Sequence, residues 1–100
     1  MNNPLNWRLI RAKCPKATDL LHALSKDIVR YKSELTEMFL LSFFESNDFN
    51  IKPSFINGNF HYRINNILSD SHFKDEKQAI FSAIEYCFVL LENKLNNKEL

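Results

Sequence analysis

Turn-forming residues are scarce in this chain of 100 residues, which has one glycine and three prolines. An antiparallel sandwich or barrel needs a turn about every ten residues, and glycine is the usual residue where φ must be positive. The scarcity therefore argues against an all-β fold and favours helices. With 45% hydrophobic residues, the chain has ample material for a core. We expect one helical domain over residues 1–100, a small all-α bundle of three to four helices.

Long apolar runs and clustered cysteines are also lacking. The apolar run at residues 38–44 is far shorter than the ~20 residues of a membrane-spanning helix. The first residues, Met-Asn-Asn-Pro, do not show the charged-then-apolar pattern of a signal peptide. Cys14 and Cys87 are the only cysteines, whereas a secreted domain of this size usually carries more. These features predict a cytoplasmic protein with free thiols and no association with membranes.

Three helices follow from apolar spacing and capping residues. An Asn3 cap with Pro4 at the first helical position predicts a helix over residues 4–13, which Pro15 closes. Thr18 caps the second, over residues 18–45. Asp75 followed by Gln78 resembles a capping box and begins the third, over residues 75–96. The apolar stripe of the second helix consists of Leu21, Leu24, Ile28, Tyr31, Leu35 and Met38.

The segment at residues 49–64 has two interpretations. Asn57-Gly58 between apolar residues is a strong signal for a short β-hairpin, which would place Ile51 opposite Ile64, Pro53 opposite Tyr62 and Phe55 opposite Phe60. Alternatively, a helix starts near Asn59 and carries Phe60, Ile64, Ile67 and Leu68 on one face. We favour the helix because the helical spacing extends to Leu68, whereas the strand alternation ends at Ile64.

Catalytic and cofactor signatures are not found in the sequence. It has no phosphate-binding loop and no Gly-x-Ser-x-Gly turn. Its cysteines and histidines do not have the close, repeated spacing of metal ligands. We therefore predict no enzyme activity, no metal and no cofactor. If catalysis did occur, the bend at His61-Tyr62-Arg63 with His72 is where we would look, and only if the two imidazoles were exposed and close together.

An apolar helix face is the main functional candidate. Residues 38–44 are apolar on nearly every side of a helix, which indicates either a central helix or one that a partner covers. A thin bundle would leave part of this face exposed, as at protein interfaces. The predicted partner-binding residues are Phe39, Leu40, Phe43 and Phe44.

A basic stretch provides the alternative. Residues 7–16 combine an aromatic ring with four cations and no acid, a composition that suits phosphate contacts and base stacking. The predicted nucleic-acid-binding residues are Trp7, Arg8, Arg11, Lys13 and Lys16. The formal net charge of +1 argues against this alternative, because nucleic-acid-binding domains are usually basic overall.

These arguments favour a non-enzymatic protein-protein interaction module that binds a protein partner or a second copy of itself. No motif carries a resemblance to a protein family. A short chain without catalytic motifs is typical of bacterial or phage accessory proteins of the inhibitor, immunity or adaptor type. The runner-up is a nucleic-acid-associated regulator.

Overall fold

Four helices and a three-stranded antiparallel sheet form the fold in a computed structural model that describes residues 5–31 and 37–98, with side chains at 5–23 and 37–97. The elements are α1 Trp7–Lys13, α2 Pro15–Tyr31, α3 Glu37–Ser46, β1 Ile51–Ile56, β2 Asn59–Ile64, β3 Ile67–Leu68 and α4 Glu76–Lys98. This is an α+β fold, so the expectation of an all-α bundle was wrong.

The sheet replaces the helix that we favoured near Asn59. Strand β1 pairs with β2 in the register of the alternative hairpin, with Ile51 opposite Ile64 and Phe55 opposite Phe60. Asn57 and Gly58 have φ of 51° and 82°, which is the two-residue positive-φ turn that favours tight hairpins. The helix interpretation was wrong because the apolar residues that show helical spacing belong to two strands. Phe60 and Ile64 lie in β2, whereas Ile67 and Leu68 lie in β3, after a second turn.

That second hairpin has a turn made entirely of asparagine. Asn65 and Asn66 have φ of 53° and 71°, and they join Ile64 to its partner Ile67 in β3. Asparagine tolerates positive φ better than most residues because its short polar side chain can hydrogen-bond locally. The Asn65 side chain does so, since its Nδ2 donates to the carbonyl oxygen of Asp48 at 2.8 Å. Scarce glycine therefore does not exclude tight turns in this chain.

The outer edge of the sheet is blunted by Pro53. The Asn65 amide donates to the Asn50 carbonyl at 2.9 Å, so hydrogen-bonded pairs alternate from there along β1 and β2. Pro53 opposite Tyr62 falls in a non-hydrogen-bonded pair, and the N–H that proline lacks would have faced outward. A proline at this position discourages another strand from pairing with the edge.

The helix boundaries differ from those predicted at the N-terminal end. Asn6 caps α1, accepting from the Leu9 amide at 3.2 Å, whereas the predicted Asn3 cap and Pro4 lie outside the described residues. Helix α2 begins at Pro15, not at Thr18, and the Thr18 hydroxyl donates to the Cys14 carbonyl. The predicted helix over residues 18–45 corresponds to α2 and α3, with residues 32–36 outside the described part. Leu35 lies there, and the side chains of Leu24, Ile28 and Tyr31 are likewise not described.

The C-terminal helix agrees with the prediction. Its Asp75 cap accepts from the Gln78 amide at 2.8 Å, and α4 runs from Glu76 to Lys98. One face of α4 is buried in the core with residues of the other helices and of the sheet. The buried residues on this face include Ile80, Ala83, Ile84, Cys87, Phe88 and Leu91. Ile51 and Ile64 contribute the sheet's side of this core. Met38, expected on the apolar stripe, is instead exposed.

Helix α3 ends in a turn that is tied to α4. The Phe49 amide donates to the Phe44 carbonyl, the Asp48 amide donates to the Glu45 carbonyl, and Asp48 has φ of 73°. This is the Schellman arrangement, with aspartate at the position that glycine usually takes. Lys94 of α4 donates to the Asn47 carbonyl at 3.2 Å and to the Asp48 carboxylate at 3.1 Å. The start of β1 is thereby held beside α4.

The buried carboxylate of Glu92 joins helix α4 to the start of helix α2. Glu92 on α4 is 7% exposed, and its Oε1 accepts from the Ala17 amide at 2.8 Å in the first turn of α2. The first amides of a helix have no partner within the helix, and a negative charge there is favoured by the helix dipole. One side chain therefore satisfies an unpaired amide and also fixes α2 against α4.

Replacing Glu92 tests this attachment. Glu92→Ala leaves the Ala17 amide buried without an acceptor, so we expect the free energy of unfolding to fall by about 1–3 kcal/mol. Glu92→Gln keeps an oxygen acceptor but removes the charge, so its loss should be smaller. Urea denaturation of both variants measures the difference, with exposed Asn93→Ala as the control. A Glu92→Ala variant as stable as Asn93→Ala would contradict the assignment.

Gly58 provides a second test, of the first hairpin turn. Apart from the chain neighbours of Gly58, no described residue has an atom within 4 Å of the position where a Cβ would be built on it. A substitution there therefore meets only the backbone strain of positive φ. We expect Gly58→Ala to cost about 1 kcal/mol and Gly58→Asn to cost less, because asparagine tolerates this conformation. Urea denaturation of the two variants compares them. Equal losses would show that the turn does not keep positive φ at this position.

Candidate protein-binding surface

The apolar residues predicted to bind a partner lie mostly in the core. Leu40, Phe43 and Phe44 are at most 3% exposed, and Phe39 is half-buried. The Phe44 ring lies edge-on to Phe88 of α4 at a centroid distance of 4.9 Å. Other elements of the same chain therefore cover the face that the sequence suggested a partner would cover. These buried residues do not form an exposed apolar surface.

The basic stretch is divided between core and surface. Trp7 is half-buried and lies edge-on to Phe88, with ring centroids 5.7 Å apart. Arg8, Arg11 and Lys13 are exposed on α1, and Lys16 is half-buried in α2. The guanidinium of Arg11 lies 2.6 Å from the Nε2 atom of His22. The contact with Phe88 explains the position of the Trp7 ring, so stacking on a nucleic-acid base is not needed to explain it.

The two histidines named from the sequence do come together. His61 of β2 and His72 face each other across neighbouring segments, with ring centroids 6.3 Å apart. His72 is exposed, while the Nδ1 atom of His61 is buried and has no hydrogen-bond partner among the described residues. The neighbouring Arg63 donates from Nε to the Ser54 hydroxyl at 2.9 Å. Within residues 5–31 and 37–98, no group of three or more potential metal ligands is found.

A continuous apolar surface lies on the outer side of α4. Tyr86 is at its centre, with α1 on one side and β3 on the other. We call it the Tyr86 surface, and its members with their exposed fractions are Leu9 48%, Ile67 74%, Leu68 38%, Tyr86 51% and Val89 40%. Single exposed apolar residues are ordinary, but a contiguous group is typical of interaction sites.

Two concavities flank Tyr86, and its side chain contributes to both. The first has a volume of about 290 Å³ and is lined mainly by Leu9, Ile10, Phe88 and Val89. The second, of about 510 Å³, lies between α4 and β3 and is lined mainly by Phe49, Tyr62, Ile64, Ile67 and Leu90. Tyr86 therefore forms a ridge between two concavities, and a partner of complementary shape could pack against both.

Charged groups border the first concavity. Lys13 of α1 and Glu85 of α4 both contribute to its lining. Neither side chain forms a hydrogen bond or ion pair with any part of the chain that the structure describes. The lining of the concavity thus includes one cation and one anion that have no partner among the described residues.

The second concavity has a polar end. Asp70, Ser69 and Ser71 contribute to its lining. Burial raises the pKa of the Tyr62 hydroxyl, and the nearby Tyr86, Cys87 and Asp70 raise it further. Tyr62 therefore remains a neutral hydroxyl through the physiological range and can donate a hydrogen bond to a bound group.

The Tyr86 surface could have been found from the sequence by examining the opposite side of the C-terminal helix. Ile84, Phe88 and Leu91 recur at helical spacing on the buried face of α4. Tyr86 and Val89 repeat at a spacing of three on the other side, beside Glu85 and Asn93. Two adjacent apolar residues on a face expected to be polar were the available signal.

Comparison with known protein families, curated proteins and solved structures finds no match for this chain. Among the described residues, no helix has the length and apolar character needed to cross a membrane.

The two cysteines are free and buried. Burial raises the pKa of the Cys87 thiol from 9.0 to about 12. The pKa of Cys14 is also raised, first by burial and then by the Glu92 carboxylate, against a lowering by Lys13. Both groups are therefore protonated and poor nucleophiles at neutral pH, because the thiolate is the reactive form.

A pH series tests the burial of Cys87. Between pH 9.0 and about 12 the unfolded chain loses this thiol proton while the folded chain keeps it. The free energy of unfolding should therefore fall as pH rises through this window, by up to about 1.4 kcal/mol per pH unit from this group. Cys87→Ala should remove that contribution, and Tyr62 and Cys14 supply the slope that remains. Parallel slopes for the two proteins would contradict the assignment.

Proposed function

We propose that this chain is a non-enzymatic, cytoplasmic protein-interaction module that binds a protein, either a different one or a second copy of itself, through the Tyr86 surface. The observation that supports the proposal is the contiguous exposure of apolar side chains from α1, α4 and β3 around one ridge. The Tyr86 surface takes the place of the binding face predicted from the sequence, because Leu40, Phe43 and Phe44 of that face lie in the core. An accessory role such as that of an adaptor or inhibitor requires only such a surface.

The energetics favour association. Fully burying a large apolar side chain contributes roughly 1.5–3 kcal/mol, so side chains that are about half exposed each have on the order of 1 kcal/mol to gain. Tyrosine at the centre adds area at a small cost in conformational entropy, and its hydroxyl can still find a partner. Lys13, Glu85 and Asp70 provide a polar rim. Aromatic centres with polar rims are typical of interfaces.

Site-specific photo-cross-linking tests this function. Tyr86→p-benzoylphenylalanine should cross-link to a defined protein in extracts of the source cells, and mass spectrometry should identify it. The same probe as Phe55→p-benzoylphenylalanine is the matched control, because Phe55 is 63% exposed but contributes to neither concavity. Adding Val89→Lys or Ile67→Lys to the Tyr86 probe should weaken binding of the identified protein about tenfold or more, measured with purified proteins.

The outcome is decisive in both directions. Capture from position 86 that Val89→Lys abolishes supports the proposal. Equal capture from positions 86 and 55, or binding that neither lysine substitution weakens, would contradict it. Because Val89 and Ile67 are exposed, circular dichroism should show that both variants stay folded.

A further inference from the structure

The Tyr86 surface places a protruding ring directly beside a hollow. Tyr86 is half exposed, and its own side chain forms one wall of the first concavity. In a twofold-symmetric pair, a feature of one copy meets a second feature of the other, and the same contact is repeated across the axis. A ring beside a hollow is therefore complementary to the same two features on a second copy. The apolar floor of Leu9, Ile10 and Val89 offers a ring the environment that it loses in water.

The charged residues that line the same concavity have opposite signs, as a reciprocal contact between two copies requires. Lys13 and Glu85 have opposite signs and are not paired with any part of the chain that the structure describes. With the twofold axis between these two residues, Lys13 of each copy lies opposite Glu85 of the other, so both contacts are attractive. The formal net charge of +1 adds little repulsion between copies.

We propose that the occupant of this surface is a second copy of the chain. Tyr86 of each copy enters the first concavity of the other, and Lys13 of each copy forms an ion pair with Glu85 of the partner subunit. This inference rests on the proposed function, since it names the protein that the Tyr86 surface binds. A different protein could also bury the apolar residues of this surface. Only a second copy necessarily supplies both a glutamate for Lys13 and a lysine for Glu85.

Charge reversal in the purified full chain tests the pairing. Lys13→Glu alone places two glutamates against each other at both contacts, and Glu85→Lys alone places two lysines together. We expect each variant to dissociate about tenfold more readily than the original chain in sedimentation equilibrium over micromolar concentrations. An equimolar mixture of the two variants should dimerise again, because both mixed contacts are of opposite sign. The double variant should also recover.

Matched controls separate this effect from a general change in charge. Lys52→Glu and Glu76→Lys reverse exposed charges that do not line the first concavity, so they should leave the dimer unchanged. Tyr86→Lys should give a folded monomer by circular dichroism, since the ring is half exposed.

Each outcome supports or overturns the inference. Recovery in the mixture supports it, because a partner of another kind cannot respond to complementary changes in two copies of this chain. An original chain that stays monomeric overturns it, as does a dimer that survives Tyr86→Lys or a mixture that does not recover. If the chain is monomeric while position 86 still captures a different protein, the proposed function stands and the dimer does not. If capture also fails, both are wrong.

Discussion

The contact between the Glu92 carboxylate and the Ala17 amide fixes the start of α2 against α4. A buried carboxylate is costly to desolvate, so it persists only where hydrogen bonds and favourable charge offset that cost. The start of α2 supplies both, through an unpaired amide and the positive end of the helix dipole. Because α1 connects to α2 through Cys14, the position of α1 against α4 follows from the same contact. Leu9 and Ile10 of α1 line the first concavity, so the geometry of the candidate surface depends on a residue that is not part of it.

Helix α4 has apolar residues on opposite faces. Ile84 and Phe88 lie in the core, whereas Tyr86 and Val89 are exposed, with Tyr86 in the lining of both concavities and Val89 in that of the first. A helix that is apolar on both sides usually lies between layers or is covered by another protein. Among the described elements, α1 and β3 border the outer face, and both are short. Within the described part of the chain, secondary structure therefore borders the outer face of α4 but leaves Tyr86 and Val89 exposed.

Local signals in the sequence predicted part of the fold. Asp75 and the spacing of the apolar residues gave α4, and Asn57-Gly58 gave the register of the first hairpin even though a helix was preferred there. The sheet was not predicted because the turn at Asn65-Asn66 contains no glycine. The apolar residues up to Leu68 have helical spacing, but the chain reverses direction at this turn and places them on two strands. The contact of Glu92 with Ala17 spans 75 residues, and no local pattern encodes a partner at that distance.

The candidate site was less predictable than the fold, for a physical reason that Phe43 and Tyr86 make clear. An apolar residue on a helix indicates that something covers it, but its local pattern does not say whether the cover belongs to the same chain. Phe43 is in the densest apolar run of the sequence and is covered by the core, whereas Tyr86 has polar neighbours and stays half exposed. The densest group of apolar residues therefore lies in the core, and the candidate surface lies where the described elements leave apolar side chains exposed. A second copy brings one more α4 and one more α1, which are the elements that already border this surface.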